Sequence, residues 1–200
     1  MHIPLLRLRS ACTLAALSIA AAVIAAEPIW IEGESAINPQ VHRNAWYDSV
    51  QKSSLSGDEW LHSFGGSEGL AEYRFQAKAG EHHFWVRANH IAGAALSWRL
   101  NGGEWQAIDF TKTVEGMNIA NDGTPDMRFI GWTSAGKPVL AAGENHLEFR
   151  MHSGNSNHGA IDCFVFSQKP FSPNGRQKPG EKLGLAAPGT WAFEPEPDEF

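Results

Sequence analysis

The chain reads as an all-β antiparallel sandwich, and three features of the sequence carry that expectation. Apolar and polar residues alternate with period 2 in several segments. Turn-forming residues separate those segments at short intervals, and no stretch shows the 3.6-residue apolar spacing of a helix. Leu147, Phe149 and Met151 alternate with His146, Glu148, Arg150 and His152. Phe84, Val86 and Ala88 alternate with His83, Trp85 and Arg87; Leu96, Trp98 and Leu100 alternate with Ser97 and Arg99. Asn101-Gly102-Gly103 reads as a hairpin turn between 97–100 and 105–110, because Asn and Gly tolerate the positive φ that tight hairpins need. Residues 29–35, 70–75, 127–132 and 160–167 are further strand candidates. About eight to ten short strands at this spacing make a sandwich.

The ends differ from the middle. Residues 1–26 read as a secretory signal peptide: Arg7 and Arg9 precede an uncharged, Ala- and Leu-rich run over 11–25, with small residues at Ala25 and Ala26. The run is shorter than the roughly 20 residues needed to cross a bilayer. The expected location is therefore secreted or periplasmic, with no membrane span. Removing the segment takes the net charge from −6 to −8 and leaves Cys163 as the one cysteine. Residues 27–168 form the expected sandwich. From about Gln168 the composition shifts, with Pro170, Pro173, Pro179, Pro188, Pro195 and Pro197 in 169–200, which reads as a Pro/Gly-rich linker or strap. The tail also holds Trp191, an aromatic that suits a segment packed on something.

Composition excludes several classes. A chain of 200 residues, 42% hydrophobic and 19% charged, supports one packed domain rather than disorder. The acidic balance argues against a nucleic-acid partner, which needs a basic face to neutralise phosphates. Two cysteines support neither a disulfide scaffold nor a Cys-rich zinc module. No GxSxG, P-loop, GxGxxG or HExxH pattern occurs, so no catalytic residue is assigned and the chain is read as a non-enzyme.

Three sets of residues carry candidate chemistry. Glu32 and Glu34 lie two apart on the expected first strand, where side chains point the same way. With Asp162, in an otherwise apolar last strand, they would share a hard cation such as Ca²⁺ if the first and last strands are neighbours. The other reading is a solvated glutamate pair and a surface aspartate. Eight tryptophans are a surplus for this length. Trp30, Trp98 and Trp132 sit in apolar patterns and suit the core; Trp46, Tyr47, Trp60, Trp85 and Trp105 lie near loops or on the polar phase of strands, where aromatics stack on sugar rings. The polar loop 152–159, with Asn155, Asn157 and His158, either holds sugar hydroxyls or simply turns the chain. Cys163, in the run Ile161-Asp162-Cys163-Phe164-Val165-Phe166, reads as a small buried hydrophobe.

An ordered series of short motifs resembles carbohydrate-binding modules of families 6 and 35. Ile31-Glu32-Gly33-Glu34-Ser35-Ala36 is similar to their "EAEdA" opening. Ala79-Gly80-Glu81-His82-His83-Phe84-Trp85-Val86-Arg87 is similar to "aG.Y.vwvR", and Leu100-Asn101-Gly102-Gly103 to "vNG". Gly143-Glu144-Asn145-His146-Leu147 is similar to "aGeN.l", and Ile161-Asp162-Cys163-Phe164 to "iDyi". The resemblance covers roughly residues 27–168. It implies a galactose-binding-like jelly roll, a structural Ca²⁺ held by Glu32, Glu34 and Asp162, and a glycan ligand contacted through loops at one end. The candidate contacts are Trp46, Tyr47, Trp85, Asn155, Asn157 and His158. The familiar pattern has Asn two residues before the aspartate; here Ala160 stands there and Asn157 lies five before. The alternatives are an N-terminal accessory domain or truncated fragment of a polysaccharide lyase or glycoside hydrolase, with a catalytic domain in the same or a longer chain, and a protein-binding adhesion domain.

Overall fold

The computed structural model describes residues 28–181 apart from 92 and 155. The expected signal segment, Asn155, Trp191 and the rest of the tail lie outside the described residues. In chain order the strands are β1 (Ile29–Glu32), β2 (Ile37–Gln40), β3 (Leu61–Ser63), β4 (Gly69–Ala77), β5 (Gly80–Glu81), β6 (His83–Ala88), β7 (Leu96–Leu100), β8 (Gln106–Ala107), β9 (Val114–Asn118), β10 (Phe129–Gly136), β11 (Val139–Leu140), β12 (Gly143–Met151) and β13 (Gly159–Ser167). One four-residue α-turn, α1 (Ala45–Asp48), interrupts the β2–β3 connection. The first sheet runs β1-β13-β6-β10-β9, with β3 also on β13; the second runs β2-β4-β12-β7-β8. Every described pairing is antiparallel, so the chain is an antiparallel jelly-roll sandwich, as the alternation predicts.

The alternation maps onto the layers. Tyr73 and Phe75 of β4, Leu147, Phe149 and Met151 of β12, and Leu96 and Trp98 of β7 point inward to meet Phe84, Val86 and Ala88 of β6 and Phe164 and Phe166 of β13. Phe166 stacks between Phe84 (centroids 4.2 Å apart) and Phe75 (4.9 Å), and Phe164 meets Tyr73 edge-on at 4.8 Å. Strand β13 shows no alternation, because all nine of its residues are buried. Its outward side chains Cys163 and Val165 pack with Trp132, Trp30, Trp85 and Phe171. Phe171 belongs to the stretch after β13, residues 168–181, which crosses the outer face of the first sheet as a strap. Cys163 is buried, as its apolar run predicts.

The expected strand over 29–35 stops at Glu32, and Gly33–Ser35 form a 3₁₀ turn. Gly33 presses against β13: a Cβ there would overlap the carbonyl oxygen of Ile161 and come within 2.8 Å of its carbonyl carbon. The obstacle is backbone of the most buried strand, so nothing nearby yields. Gly33→Ala is expected to lower the free energy of unfolding by about 2 kcal/mol or more, read from denaturant melts. A loss under about 0.5 kcal/mol would show that the approach relaxes.

Candidate functional sites

Two places concentrate unusual side chains: the loop end of the sandwich and a cluster of acids beside β1 and β13.

At the loop end, Asn44 caps α1 by accepting from the Trp46 N–H at 2.9 Å. The turn sets Trp46 half-buried at the surface and Tyr47 inside. Tyr47, Trp60, Leu55, Ile119 and Ile130 form a second core, with Phe64 and Trp46 packed against it. Tyr47 meets Trp60 at 5.5 Å, Phe64 at 5.8 Å and His158 at 6.4 Å. The Trp60 indole N–H donates to the Tyr47 carbonyl at 3.1 Å. Arg128 lies over the Trp46 ring, 5.1 Å from its centre, and is held by Asp126 through Nε at 2.9 Å and Nη2 at 2.5 Å. That guanidinium keeps Asp126 below the usual carboxylate range. The Tyr47 hydroxyl is buried without a hydrogen-bond partner, and burial pushes its pKa up.

The expected glycan contacts fall in different places. Tyr47 and His158 are fully buried rather than presented to solvent, because the α1 turn and the 152–158 loop close a core of their own over the sheet ends. His158 Nδ1 and Ser153 Oγ are 2.9 Å apart. Asn157 ties loops together, donating to the Gly66 carbonyl at 2.9 Å. Trp85 is not at this end; it packs on the outer face of β6 against Phe171, 6.1 Å away. Trp46 remains half-buried at the loop end. Arg128 and Asp126 went unmarked in the sequence, where an Asp-x-Arg triplet gives no signal of its own.

The acid cluster holds Glu32, Glu34 and Asp162, with Glu59 close enough to act on Glu34. The two glutamates are not on one strand face as expected. The 3₁₀ turn after Glu32 carries Glu34 beneath the 56–58 turn instead, where a Cβ on Gly57 would lie 2.6 Å from Glu34 Oε1. Asp162 is fully buried and already engaged: Oδ2 accepts from Arg87 Nη1 at 2.6 Å and Oδ1 from the Ser56 N–H at 2.8 Å. Burial still raises Asp162 to about 6. Glu32 Oε1 accepts from Lys178 Nζ at 2.6 Å and from the Trp30 indole at 3.2 Å, whereas its Oε2 is buried with no partner. Loss of water, then the charges of Glu32, Asp162 and Glu59, raise Glu34 to about 7. Hard oxygen donors, one orphaned buried oxygen and surplus negative charge fit a divalent cation. The three carboxylates stand apart, one oxygen from each not coming within 4.8 Å of the others, and Asp162 is turned to Arg87 and Ser56.

Among the described residues Glu72, His146 and Glu148 do converge that closely, on the outer face of the second sheet. Arg99 grips Glu148 with both arms there, at 2.6 and 2.5 Å, and His146 Nε2 is 3.3 Å from Glu72. Arg99 thus already holds one of the two carboxylates of this cross-strand group.

No protein-family model matches the sequence, and no curated protein matches it. Solved structures similar to the chain include a β-(1,4)-mannanase of Podospora anserina that carries a family 35 carbohydrate-binding module (16% identity, 74% of this chain, 29% of that chain, TM-score 0.49). They include a family 35 module from Cellvibrio japonicus (11%, 72% of this chain, 94% of that one, TM-score 0.47). The C-terminal family 6 module of a marine laminarinase from Zobellia galactanivorans is a third (17%, 70% and 99%, TM-score 0.43). The chain thus spans under a third of the mannanase chain it matches.

The raised Glu34 carboxyl has a pH signature. An acid held above its ordinary value destabilises the fold when ionised; the penalty is absent below about 4.5 and complete above about 7. In chelator, Glu34→Gln is therefore expected to melt above wild type at pH 8 and together with it at pH 4.5. An equal offset at both pH values would remove the carboxylate repulsion from the account.

Proposed function

We propose that the chain is an exported, non-catalytic carbohydrate-binding module that takes a neutral glycan at its loop end and holds a structural Ca²⁺ at Glu32, Glu34 and Asp162. The half-buried Trp46 carries this reading. Its indole sits at the surface over a buried aromatic base, fixed by the Asn44 cap and the Arg128–Asp126 pair, which is how a rigid stacking platform for a sugar ring is built. A neutral ligand follows from charge. Arg128, the buried cation of this end, is occupied by Asp126, and the chain is net acidic, so a polyanion would meet no free counter-charge there.

The cation would be held by three carboxylates and would neutralise their mutual repulsion, joining β1 to β13 beside the loop end. Binding only to the folded state, it would stabilise the fold by about 2.7 kcal/mol at 100 times its Kd, or roughly 5–10 °C in Tm. Melting curves with Ca²⁺ and with chelator check this; identical curves would exclude the metal.

Glycan binding is read by affinity electrophoresis on neutral and acidic plant and algal polysaccharides. Retardation by a neutral glycan is expected, weakened about tenfold by Trp46→Ala and not by Trp85→Ala. Retardation by none of them, with or without Ca²⁺, would sink the reading.

A further inference from the structure

The strap is fastened to the first sheet at several points. Phe171 packs edge-on against Trp132, 5.3 Å away. The Trp132 indole N–H donates to the Gly175 carbonyl at 2.7 Å, and the Gly175 N–H donates to Glu115 at 2.6 Å. Beyond Gly175 the strap delivers two cations to the rim of the acid cluster. Arg176 reaches Asp58 at 3.2 Å and the Leu55 carbonyl at 3.3 Å, on the loop that covers Glu34. Lys178 Nζ takes Glu32 Oε1 at 2.6 Å. The orphaned oxygen, Oε2, belongs to the same carboxylate.

We propose that the strap and a divalent cation oppose one another through Glu32, the ammonium of Lys178 being the chain's own counter-ion at that site. The inference rests on the cation reading of the preceding subsection. Its sign does not depend on how the metal is held. A cation that takes both Glu32 oxygens displaces Lys178, and one that takes only Oε2 leaves two positive charges on one carboxylate. Both arrangements raise the free energy of strap and metal together above the sum of each alone. Linkage makes the effect reciprocal: Lys178 weakens the metal by the factor by which the metal weakens the strap's grip. The Lys178 side chain is 48% exposed, which places the coupling at the low end of the usual range, about fivefold. Ca²⁺ thus loosens a segment that otherwise packs on Trp85 and Trp132.

The test uses the full chain and Ca²⁺ itself. Calorimetric titration of wild type, Lys178→Gln and Lys178→Arg is expected to show about fivefold tighter Ca²⁺ binding in Lys178→Gln, with Lys178→Arg close to wild type because the charge is kept. Two further readouts follow the strap: the rate of tryptic cleavage after Arg176, and the NMR signal of the Trp132 indole N–H. Ca²⁺ is expected to speed the cleavage and move the signal in wild type, and to do less of both in Lys178→Gln. Equal Ca²⁺ affinity in wild type and Lys178→Gln, or slower cleavage with Ca²⁺, would overturn the coupling and leave the metal site standing. Binding by none of the three proteins would overturn the metal site and the coupling with it.

Discussion

One buried ion pair sets where the rest of the molecule stands. Arg87 of β6 and Asp162 of β13 are almost wholly removed from water, 2.6 Å apart, on neighbouring strands at the centre of the first sheet. The β13–β6 register slips between Ile161 and Cys163, so Asp162 is the additional residue of a bulge. A bulge re-aims a side chain, and here it brings a carboxylate to the guanidinium. The pair then organises the loop outside the sheet. Arg87 Nη1 also donates to the Ser54 carbonyl, and Asp162 Oδ1 accepts the Ser56 N–H. That loop carries Gly57 over Glu34 and Asp58 under Arg176. Replacing a buried pair by apolar groups of the same shape is often neutral, while removing one partner costs about 3–5 kcal/mol. The contribution of this pair is therefore placement, holding the acids and the strap in one neighbourhood, more than net stability.

The parts of the fold legible in the sequence are those where one face of a strand meets the core and the other meets water. In β4 and β12 every second residue is buried, and the alternation printed in the chain is the alternation found. The Asn101-Gly102 turn was equally plain, both residues having positive φ. Legibility stops where a second layer covers the outer face. Apart from Asp162, β13 reads as an apolar run because the strap covers the side that sheet packing leaves open. Glu32 and Glu34 illustrate a second limit. Their spacing suggests one strand face, but the close passage of Gly33 over Ile161 ends the strand between them, and a tertiary approach of that kind leaves no periodic mark. Tyr47 and His158 show a third. Loop residues are expected at the surface because loops usually are, yet these loops enclose Leu55, Ile119 and Ile130 and bury their own aromatics.

The surplus of tryptophan divides along the same lines. Trp98 and Trp60 fill the two cores, and Trp132 is buried beneath the strap with its indole N–H satisfied by Gly175. Trp30 and Trp85 flank it half-buried, Trp85 against Phe171 of the same segment. A tryptophan count therefore overstates the aromatic surface available to a ligand. Most of that area holds layers together, and the polar indole nitrogen explains why the strap is tied at defined points instead of merely lying on an apolar face.

A sandwich offers a ligand two outer faces and its loop ends, and the side chains here narrow that choice. The outer face of the first sheet is taken by the strap. The outer face of the second is crossed by the ion pairs of Arg99 with Glu148 and Arg74 with Glu144, and His146 Nε2 lies 3.3 Å from Glu72. Among the described residues its one tryptophan, Trp105, already has the guanidinium groups of Arg99 and Arg150 against its ring at 4.7 and 4.8 Å. A sugar would have to displace those cations before stacking, giving up interactions of the same strength as those it would make. Trp46 is differently placed. The arginine over its ring is anchored to Asp126 and to the Ser49 carbonyl, and so holds the indole in place. A rigid indole with a rigid neighbour loses little entropy when a ring settles on it. Pre-organisation, rather than the number of aromatics, favours the loop end as the place for the proposed glycan.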